Sequence, residues 1–255
     1  MTARIMLVPD WLRTTPVAHR GLHDANRQVP ENSLAAFLQA IEHGFAIECD
    51  IRLSRDGVPM VFHDATLERL CQRKEALRDL TAEQLTLAPL AGTAETIPTL
   101  GDMLRLVNGQ VPLLIEVKNY NNEPVGPLEA ATAAVLRDYK GRFAVQSFNP
   151  RTVAWFRRHA PGFVRGQIAS HINEMMKDGP LWKKLVLYTM LANRYGDPHF
   201  VAYDINYLPA PLTLQARSSG RPVLTWTIRT PEQEAKARQH ADNIIFERPA
   251  GPERA

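Results

Sequence analysis

Ala46-Ile47-Glu48-Cys49-Asp50-Ile51 is a short apolar run that carries two carboxylates one residue apart. A second run, Pro112-Leu113-Leu114-Ile115-Glu116-Val117-Lys118, carries an acid and a base at the same spacing. In an extended strand, residues two apart point to the same face. Each polar pair therefore faces one way, while Cys49 and Val117 pack on the other side. The spacing indicates two strands that contribute to a polar site.

Charged side chains within apolar strands need a partner, because removing a carboxylate from water is unfavourable by several kcal/mol. Glu48, Asp50 and Glu116 would share a divalent cation if the two strands lie side by side. Oxygen ligands suit Mg²⁺ or Ca²⁺ better than Zn²⁺. A buried ion pair between Glu116 and Lys118 is the alternative explanation, but it leaves Glu48 and Asp50 without a cation. We therefore predict a metal site made by the three acids.

Two further apolar runs end on histidines, His19 and His63. Imidazoles titrate near neutral pH, so these two residues are candidates for one general base and one general acid. Arg20 and Lys118 add two positive charges that suit a phosphate group, which Arg20 can bind through two parallel hydrogen bonds. A divalent cation, two cations from side chains and two histidines together indicate phosphoester cleavage.

Strand candidates recur along the whole chain, at about 16–19, 46–51, 58–62, 111–117, 143–147, 163–168, 199–204, 222–227 and 244–247. Helical patterns lie between most of them, at about 32–44, 99–107, 127–138, 151–159 and 231–240. Alternating strands and helices predict parallel strands and an α/β fold.

The strand candidates number one more than the eight that a barrel needs. Strands 46–51 and 58–62 are too close in sequence for a parallel crossover, which takes about a dozen residues. We therefore predict a hairpin whose turn is Asp56-Gly57. The predicted fold class is a (β/α)₈ TIM barrel, a single domain over residues 1–255, with a short β-hairpin insertion after the second barrel strand. The segment 169–198 is longer than a barrel connection requires, and helices there would cover the substrate.

The composition is that of a globular protein whose length suits one barrel: 255 residues, 45% hydrophobic and 22% charged. The net charge of +3 is mild and the basic residues are scattered, so we predict no nucleic-acid partner. The two cysteines lack CxxC spacing, and the longest late apolar run, 181–191, contains two lysines and is unsuited to spanning a bilayer. We expect a cytoplasmic protein with reduced thiols; no oligomeric state is predicted.

The chain resembles the glycerophosphodiester phosphodiesterases of the phospholipase C-like superfamily. The resemblance rests on motifs that run in the order of that family from residue 17 to about 249. These motifs are His19-Arg20-Gly21, Pro30-Glu31-Asn32-Ser33, Glu48-Cys49-Asp50, Asp56-Gly57, Val61-Phe62-His63-Asp64, Ile97-Pro98-Thr99-Leu100, Glu116-Val117-Lys118, Ser147-Phe148 and Thr225-Trp226-Thr227. One departure is Glu247-Arg248-Pro249, where many members have Thr-Asp before Arg-Pro, so the resemblance assigns Glu247 no role. Glu247 nevertheless ends the last strand candidate, as Phe148, Asp204 and Trp226 end or follow earlier ones, and these residues are candidates for the wall of the barrel mouth.

The resemblance implies metal-dependent hydrolysis of glycerophosphodiesters to sn-glycerol 3-phosphate and an alcohol, in glycerophospholipid catabolism. The implied roles are acid and base for His19 and His63, metal ligands for Glu48, Asp50 and Glu116, phosphate binding for Arg20 and Lys118, and lining of the substrate cleft for Trp226. Headgroup preference, the choice between Mg²⁺ and Ca²⁺, the division of roles between the histidines, and attack by water or by a substrate hydroxyl stay open.

Two other functions fit the same residues. One is a phospholipase that acts on intact membrane lipid, and the other is a barrel without turnover that binds a phosphate metabolite. Local alternatives exist as well. Asp64 is expected either to cap a short helix or to support the site, and Glu31 and Asn32 are expected to do no more than begin a helix. Trp226 fits a core position as well as the cleft.

Overall fold

The computed structural model describes residues 8–119, 123–171 and 193–247. Its strands are β1 Val17–Ala18, β2 Ala46–Leu53, β3 Pro59–Val61, β4 Leu113–Val117, β5 Phe143–Ser147, β6 Arg165–Ala169, β7 Phe200–Asp204, β8 Val223–Ile228 and β9 Asn243–Phe246. Its α-helices are α1 Trp11–Thr14, α2 Leu34–Glu42, α3 Glu68–Cys71, α4 Ala82–Thr86, α5 Leu100–Val107, α6 Pro127–Leu136, α7 Pro150–His159, α8 Asn193–Gly196, α9 Pro211–Ser218 and α10 Pro231–His240. Most of the predicted 169–198 segment lies outside the described residues.

Parallel strands close into a barrel in the order β1, β2, β4, β5, β6, β7, β8 and β9, and β9 pairs again with β1. This closed ring confirms the predicted (β/α)₈ barrel. β3 lies outside the ring and pairs antiparallel with β2, with Ile51 opposite Val61 and Leu53 opposite Pro59. The ring and this one antiparallel strand account for every strand in the described ranges.

The inward-facing side chains of the strands form two layers. The lower layer is buried and apolar, and it includes Val17, Ala46, Leu114, Ala144, Leu224 and Ile245. The upper layer is polar or aromatic and lies two residues further along each chain segment, within the strand or just beyond its end. It consists of His19, Glu48, Glu116, Gln146, Trp226 and Glu247. Because residues two apart share a face, this second set is aimed into the carboxyl-terminal mouth of the barrel. The strand period therefore places the site directly above the inner core.

The outward-facing side chains of the same strands pack against the surrounding helices. Ile47, Cys49 and Ile51 belong to one buried cluster with Phe37 and Ala40 of α2. Cys49 thus points away from the barrel mouth, as its alternation with the flanking acids requires. The described part of the chain contains no helix that is both long and apolar enough to cross a membrane.

Between β2 and α5 the chain forms an inserted segment, residues 59–98, with a core of its own. Its buried apolar side chains make a cluster separate from those of the barrel: Met60, Phe62, Leu67, Leu70, Leu77, Leu80, Leu85, Ala88, Leu90 and Ile97. The segment carries α3 and α4 and begins with β3, which leads directly into His63. A packed core keeps this segment in a defined position beside the barrel mouth.

Candidate active site

Three carboxylates converge at the barrel mouth. Glu48 and Asp50 come from β2 and Glu116 from β4, and one oxygen from each lies within 4.8 Å of the others. Asp50 and Glu116 are paired residues of adjacent strands, which brings their side chains together. All three are buried, and within the described ranges Glu48 Oε1 has no hydrogen-bond partner. Hard oxygen ligands with an unsatisfied buried atom among them fit a divalent cation such as Mg²⁺ or Ca²⁺.

Two basic side chains flank the three acids. Lys118 Nζ lies 2.9 Å from Glu116 Oε1 and 3.2 Å from Asp50 Oδ1, and Arg20 Nε lies 3.3 Å from Asp50 Oδ2. Burial alone would raise the pKa of Asp50, but Lys118 and Arg20 hold it well below its usual range. Burial, together with the charges of the other two acids, raises the pKa of Glu48 well above its usual range. The site therefore holds a readily ionised acid beside one that resists ionisation.

The turn after β1 positions Arg20. Arg20 adopts a left-handed backbone conformation, with φ 56°, and its N–H donates to Glu48 Oε2 at 3.0 Å. Gly21 follows at φ 79°, and a Cβ at this residue would lie 2.8 Å from the Cβ of Ala36. Only glycine accommodates both the positive φ and the close approach of α2. The glycine therefore allows the chain to turn so that Arg20 faces the acids.

His19 is held by a carboxylate from the last strand. Its Nδ1 lies 2.6 Å from Glu247 Oε1, and Arg229 donates to both oxygens of Glu247, at 2.7 and 3.0 Å. Burial lowers the pKa of His19, although the hydrogen bond to Glu247 opposes this effect. With Nδ1–H donated to Glu247, the ring presents Nε2 to the acids, 3.9 Å from Glu48 Oε2.

His63 is oriented in the same manner by the acid that follows it in the chain. Its Nδ1 lies 2.6 Å from Asp64 Oδ1, and its backbone oxygen accepts a hydrogen bond from Arg52 Nε at 2.7 Å. The N-cap of α3 is Leu67 and has no side-chain cap bond, so Asp64 does not cap that helix. Asp64 therefore supports the site by holding His63, and does not cap the helix.

Glu31 and Asn32 contact the site, and the expectation that they only begin a helix was wrong. Ser33 caps α2, accepting from Ala36 N at 3.1 Å. Glu31 instead accepts from Arg20 Nη1 at 2.7 Å, and Asn32 Nδ2 donates to Asp50 Oδ2 at 2.9 Å. Burial alone would raise the pKa of Glu31, but the arginines bound to it lower it to about 2. Both residues lie in the Pro30-Glu31-Asn32-Ser33 motif, which was the available sequence signal.

A cavity of about 290 Å³ opens over these groups. His19, Arg20, Glu48, His63, Glu116 and Lys118 line one part of it. Phe148, Asp204, Trp226 and Arg229 are among the residues that line the rest. The rings of Phe148 and Trp226 pack edge to face with centroids 5.6 Å apart. The structure therefore brings all the sequence-predicted residues to one mouth, with Asp50 buried just beneath it, and Trp226 lines the cavity.

The sequence and the fold both match known proteins. The model of the glycerophosphoryl diester phosphodiesterase family matches residues 19–250. A glycerophosphodiester phosphodiesterase of Caldanaerobacter subterraneus subsp. tengcongensis is 27% identical over 251 residues, which cover 93% of this chain and 96% of that protein. Glycerophosphodiester phosphodiesterase 1 of Bos taurus is 26% identical and covers 89% of this chain and 76% of its own length.

Two solved structures have the same barrel. The glycerophosphodiester phosphodiesterase of Thermotoga maritima superposes with a TM-score of 0.68 at 26% identity, covering 91% of this chain and 94% of its own. A phosphodiesterase of Oleispira antarctica, solved in complex with the product sn-glycerol-3-phosphate, has a TM-score of 0.74 at 23% identity. That match covers 91% of this chain and 92% of the other.

Proposed function

The chain belongs to the glycerophosphoryl diester phosphodiesterase family, and on that basis we propose that it hydrolyses glycerophosphodiesters to sn-glycerol 3-phosphate and an alcohol. The observation that carries the proposal is the cluster of Glu48, Asp50 and Glu116 at the barrel mouth, within 4.8 Å of one another. His19 and His63 line the same cavity. A deacylated phospholipid is the natural source of such a diester, so the proposed setting is glycerophospholipid catabolism.

Glu48, Asp50 and Glu116 are the proposed ligands of a divalent cation, Mg²⁺ or Ca²⁺. Glu48 Oε1, which has no hydrogen-bond partner among the residues that the structure describes, and the oxygen-only donor set support this assignment. When bound, such a cation supplies positive charge to a phosphate oxygen and stabilises the charge of the transition state.

Arg20 and Lys118 are the proposed phosphate-binding residues. Both side chains are already held against the acids, with Lys118 Nζ 3.2 Å from Asp50 Oδ1 and Arg20 Nε 3.3 Å from Asp50 Oδ2. They line the cavity, so a phosphate bound there would lie against both positive charges. Trp226 is proposed to line the part of the cleft that receives the organic portion of the substrate.

His19 and His63 are the proposed acid and base. Each donates Nδ1–H to a carboxylate, Glu247 or Asp64, at 2.6 Å, so each offers Nε2 for proton transfer. One imidazole takes the proton of the nucleophile, which is water or the neighbouring glycerol hydroxyl. The other donates a proton to the departing alkoxide. Attack by the hydroxyl gives a cyclic phosphate, which a water molecule must then open to yield sn-glycerol 3-phosphate. The carboxylate partners hold the rings in place, as in other histidine–carboxylate pairs.

Release of sn-glycerol 3-phosphate from a panel of glycerophosphodiesters, with and without Mg²⁺ or Ca²⁺ and with EDTA, tests the proposal. We expect His19→Ala and His63→Ala each to lower kcat by about 10²–10⁴-fold. His43→Ala, in an exposed histidine at the end of α2, is the matched control and should leave kcat unchanged. Near-normal turnover in both site variants would contradict the assignment of acid and base.

The same assay separates two rival functions. A phospholipase would release the headgroup from intact lipid vesicles, whereas the proposed enzyme acts only on the deacylated diester. A phosphate-binding barrel without turnover would bind sn-glycerol 3-phosphate and release no alcohol under any metal condition. Release of choline or ethanolamine from the soluble diester alone favours the proposed activity over both.

We propose further that residues 1–255 form one domain of a cytoplasmic enzyme whose partner is the small-molecule substrate and not a nucleic acid. The family match over residues 19–250 supports one domain. Two free cysteines, buried Cys49 and half-buried Cys71, are consistent with a reducing compartment. Cell fractionation followed by the diesterase assay tests the location.

A further inference from the structure

Arg69 in α3 contacts two carboxylates that serve different parts of the site. Its Nε donates to Asp64 Oδ2 at 2.6 Å. Its Nη1 and Nη2 donate to the two oxygens of Glu31, at 2.9 and 2.7 Å. The guanidinium therefore uses three donors on two acids from separate segments, an arrangement that its planar fork favours and a lysine does not reproduce.

Each of the two carboxylates also accepts a hydrogen bond from a residue that lines the cavity. Asp64 Oδ1 accepts from His63 Nδ1 at 2.6 Å, and Glu31 Oε1 accepts from Arg20 Nη1 at 2.7 Å. Arg69 itself does not line the cavity. The contacts of Arg69 therefore connect it to the cavity through His63 and through Arg20.

The backbone around Arg69 is well anchored. The next residue, Leu70, is only 3% exposed and packs in the core of the inserted segment. Leu70 O accepts from Ala91 N at 2.6 Å, and Leu67 N donates to Glu75 O at 3.0 Å. Because α3 is held on two sides, the Arg69 side chain extends from a defined position. This anchoring distinguishes it from an ordinary surface arginine, whose ion pairs contribute little.

We propose that Arg69 is a positioning residue, which aligns the imidazole of His63 and the guanidinium of Arg20 towards the same phosphate. This inference rests on the proposed function, because it assigns His63 to proton transfer and Arg20 to phosphate binding. It also assigns the inserted segment a role in addition to carrying β3. The core of the segment sets the position of α3, and Arg69 of α3 then sets the positions of His63 and Arg20 relative to each other.

The expected effect follows from geometry. Without Arg69, Glu31 keeps Asn26 and Arg20 as partners, and Asp64 keeps His63. The two carboxylates would then repel each other with no cation between them, and both attached groups would shift. A displacement of about 1 Å in a catalytic group can lower a rate about 10²-fold. We expect Arg69→Ala to lower kcat/KM by about 10–100-fold, with kcat falling through His63 and KM rising through Arg20.

The test compares Arg69→Ala and Arg69→Lys with Arg73→Ala. Arg73 lies in the same segment and pairs with Glu75 at 2.8 Å, so it is the matched control and should retain the activity of the unaltered protein. Arg69→Lys keeps the charge but loses the fork, and we expect a smaller loss of kcat/KM. If Arg69→Ala does not fold, the kcat/KM of Arg69→Lys alone tests the proposal. Full kcat/KM in Arg69→Lys, or in a folded Arg69→Ala, would overturn the inference.

Two readouts separate positioning from general destabilisation. Affinity for Mg²⁺ or Ca²⁺ by calorimetry should change much less than kcat/KM in Arg69→Ala, because Arg69 reaches the three acids only indirectly, through the contact of Arg20 with Asp50. In a His63→Ala background, Arg69→Ala should reduce kcat much less than it does alone, since one route of its action has been removed. An undiminished effect on kcat in that background would refute positioning through His63. An inactive unaltered protein would instead refute the proposed function itself.

Discussion

Proton release on metal binding is the sharpest test of the three-acid site. Burial and the charges of Asp50 and Glu116 raise the pKa of Glu48 well above its usual range. A metal ligand must be ionised, so binding of Mg²⁺ or Ca²⁺ should displace the proton of Glu48. We expect up to about one proton to be released per ion at a pH below the pKa of Glu48, and none well above it.

The magnitude follows from linkage. Below the pKa of Glu48 the affinity for the ion should weaken about tenfold, or about 1.4 kcal/mol, for each pH unit. The folded pKa of Glu48 lies above the unfolded value, so its contribution to the free energy of unfolding is present at low pH and is lost as pH rises through the folded pKa. The stabilisation by the ion grows over the same window. At a hundred times Kd an ion stabilises by about 2.7 kcal/mol, which corresponds to about 5–10 °C in Tm for a chain of this size.

Calorimetry in two buffers of different ionisation enthalpy, from pH 5 to pH 8, counts the released protons, and thermal unfolding with and without the ion gives the shift in Tm. Glu48→Gln removes the titrating group and should abolish proton release as well as weaken binding. Glu83→Gln, in an exposed acid of α4, is the control and should behave as the unaltered protein does. Equal affinity and no proton release across the whole pH range would refute the reasoning.

Three other variants test the supporting structure. Glu247→Gln keeps the shape of the group that holds His19 but removes its charge; we expect kcat to fall about 10–100-fold and the pKa of His19 to drop further, visible as a shift in the pH profile. Gly21→Ala should destabilise by more than about 1 kcal/mol because of both its positive φ and steric overlap. Gly57→Ala, at a residue with no described atom within 4 Å, introduces only the φ strain, and equal losses in Tm would contradict this account. Leu70→Ala should lower the free energy of unfolding by about 2–5 kcal/mol in denaturant titrations, and an unchanged midpoint would show that the inserted segment does not depend on its core.

The barrel was predictable because its signals are local. The alternation in β2, with Glu48 and Asp50 on one face and Cys49 on the other, is a period-two pattern that survives into the structure. All five predicted helices are present, with ends within a few residues of those expected: α2, α5, α6, α7 and α10. Each of these features depends on residues that are close together in the sequence, so the sequence alone shows it.

The supporting contacts were not predictable in the same way. Glu247 is 228 residues from His19, and it reaches Nδ1 only because β9 closes the ring beside β1. Glu31 was expected only to begin a helix, yet it binds Arg69, 38 residues away in a different segment. Nothing near either acid in sequence indicates its partner.

Periodicity along the chain was sufficient to specify strands, helices and which acids point inward, because those properties arise from repeated spacing between nearby residues. The alternation of strands with helices then predicted their parallel arrangement. Closure of the ring and the docking of α3 then selected which distant charges meet: His19 with Glu247, and Arg69 with Glu31 and Asp64. An ion pair forms where folding brings two opposite charges close together in a partly desolvated environment. Distance in space bears no simple relation to separation in sequence, so the sequence alone does not identify such pairs.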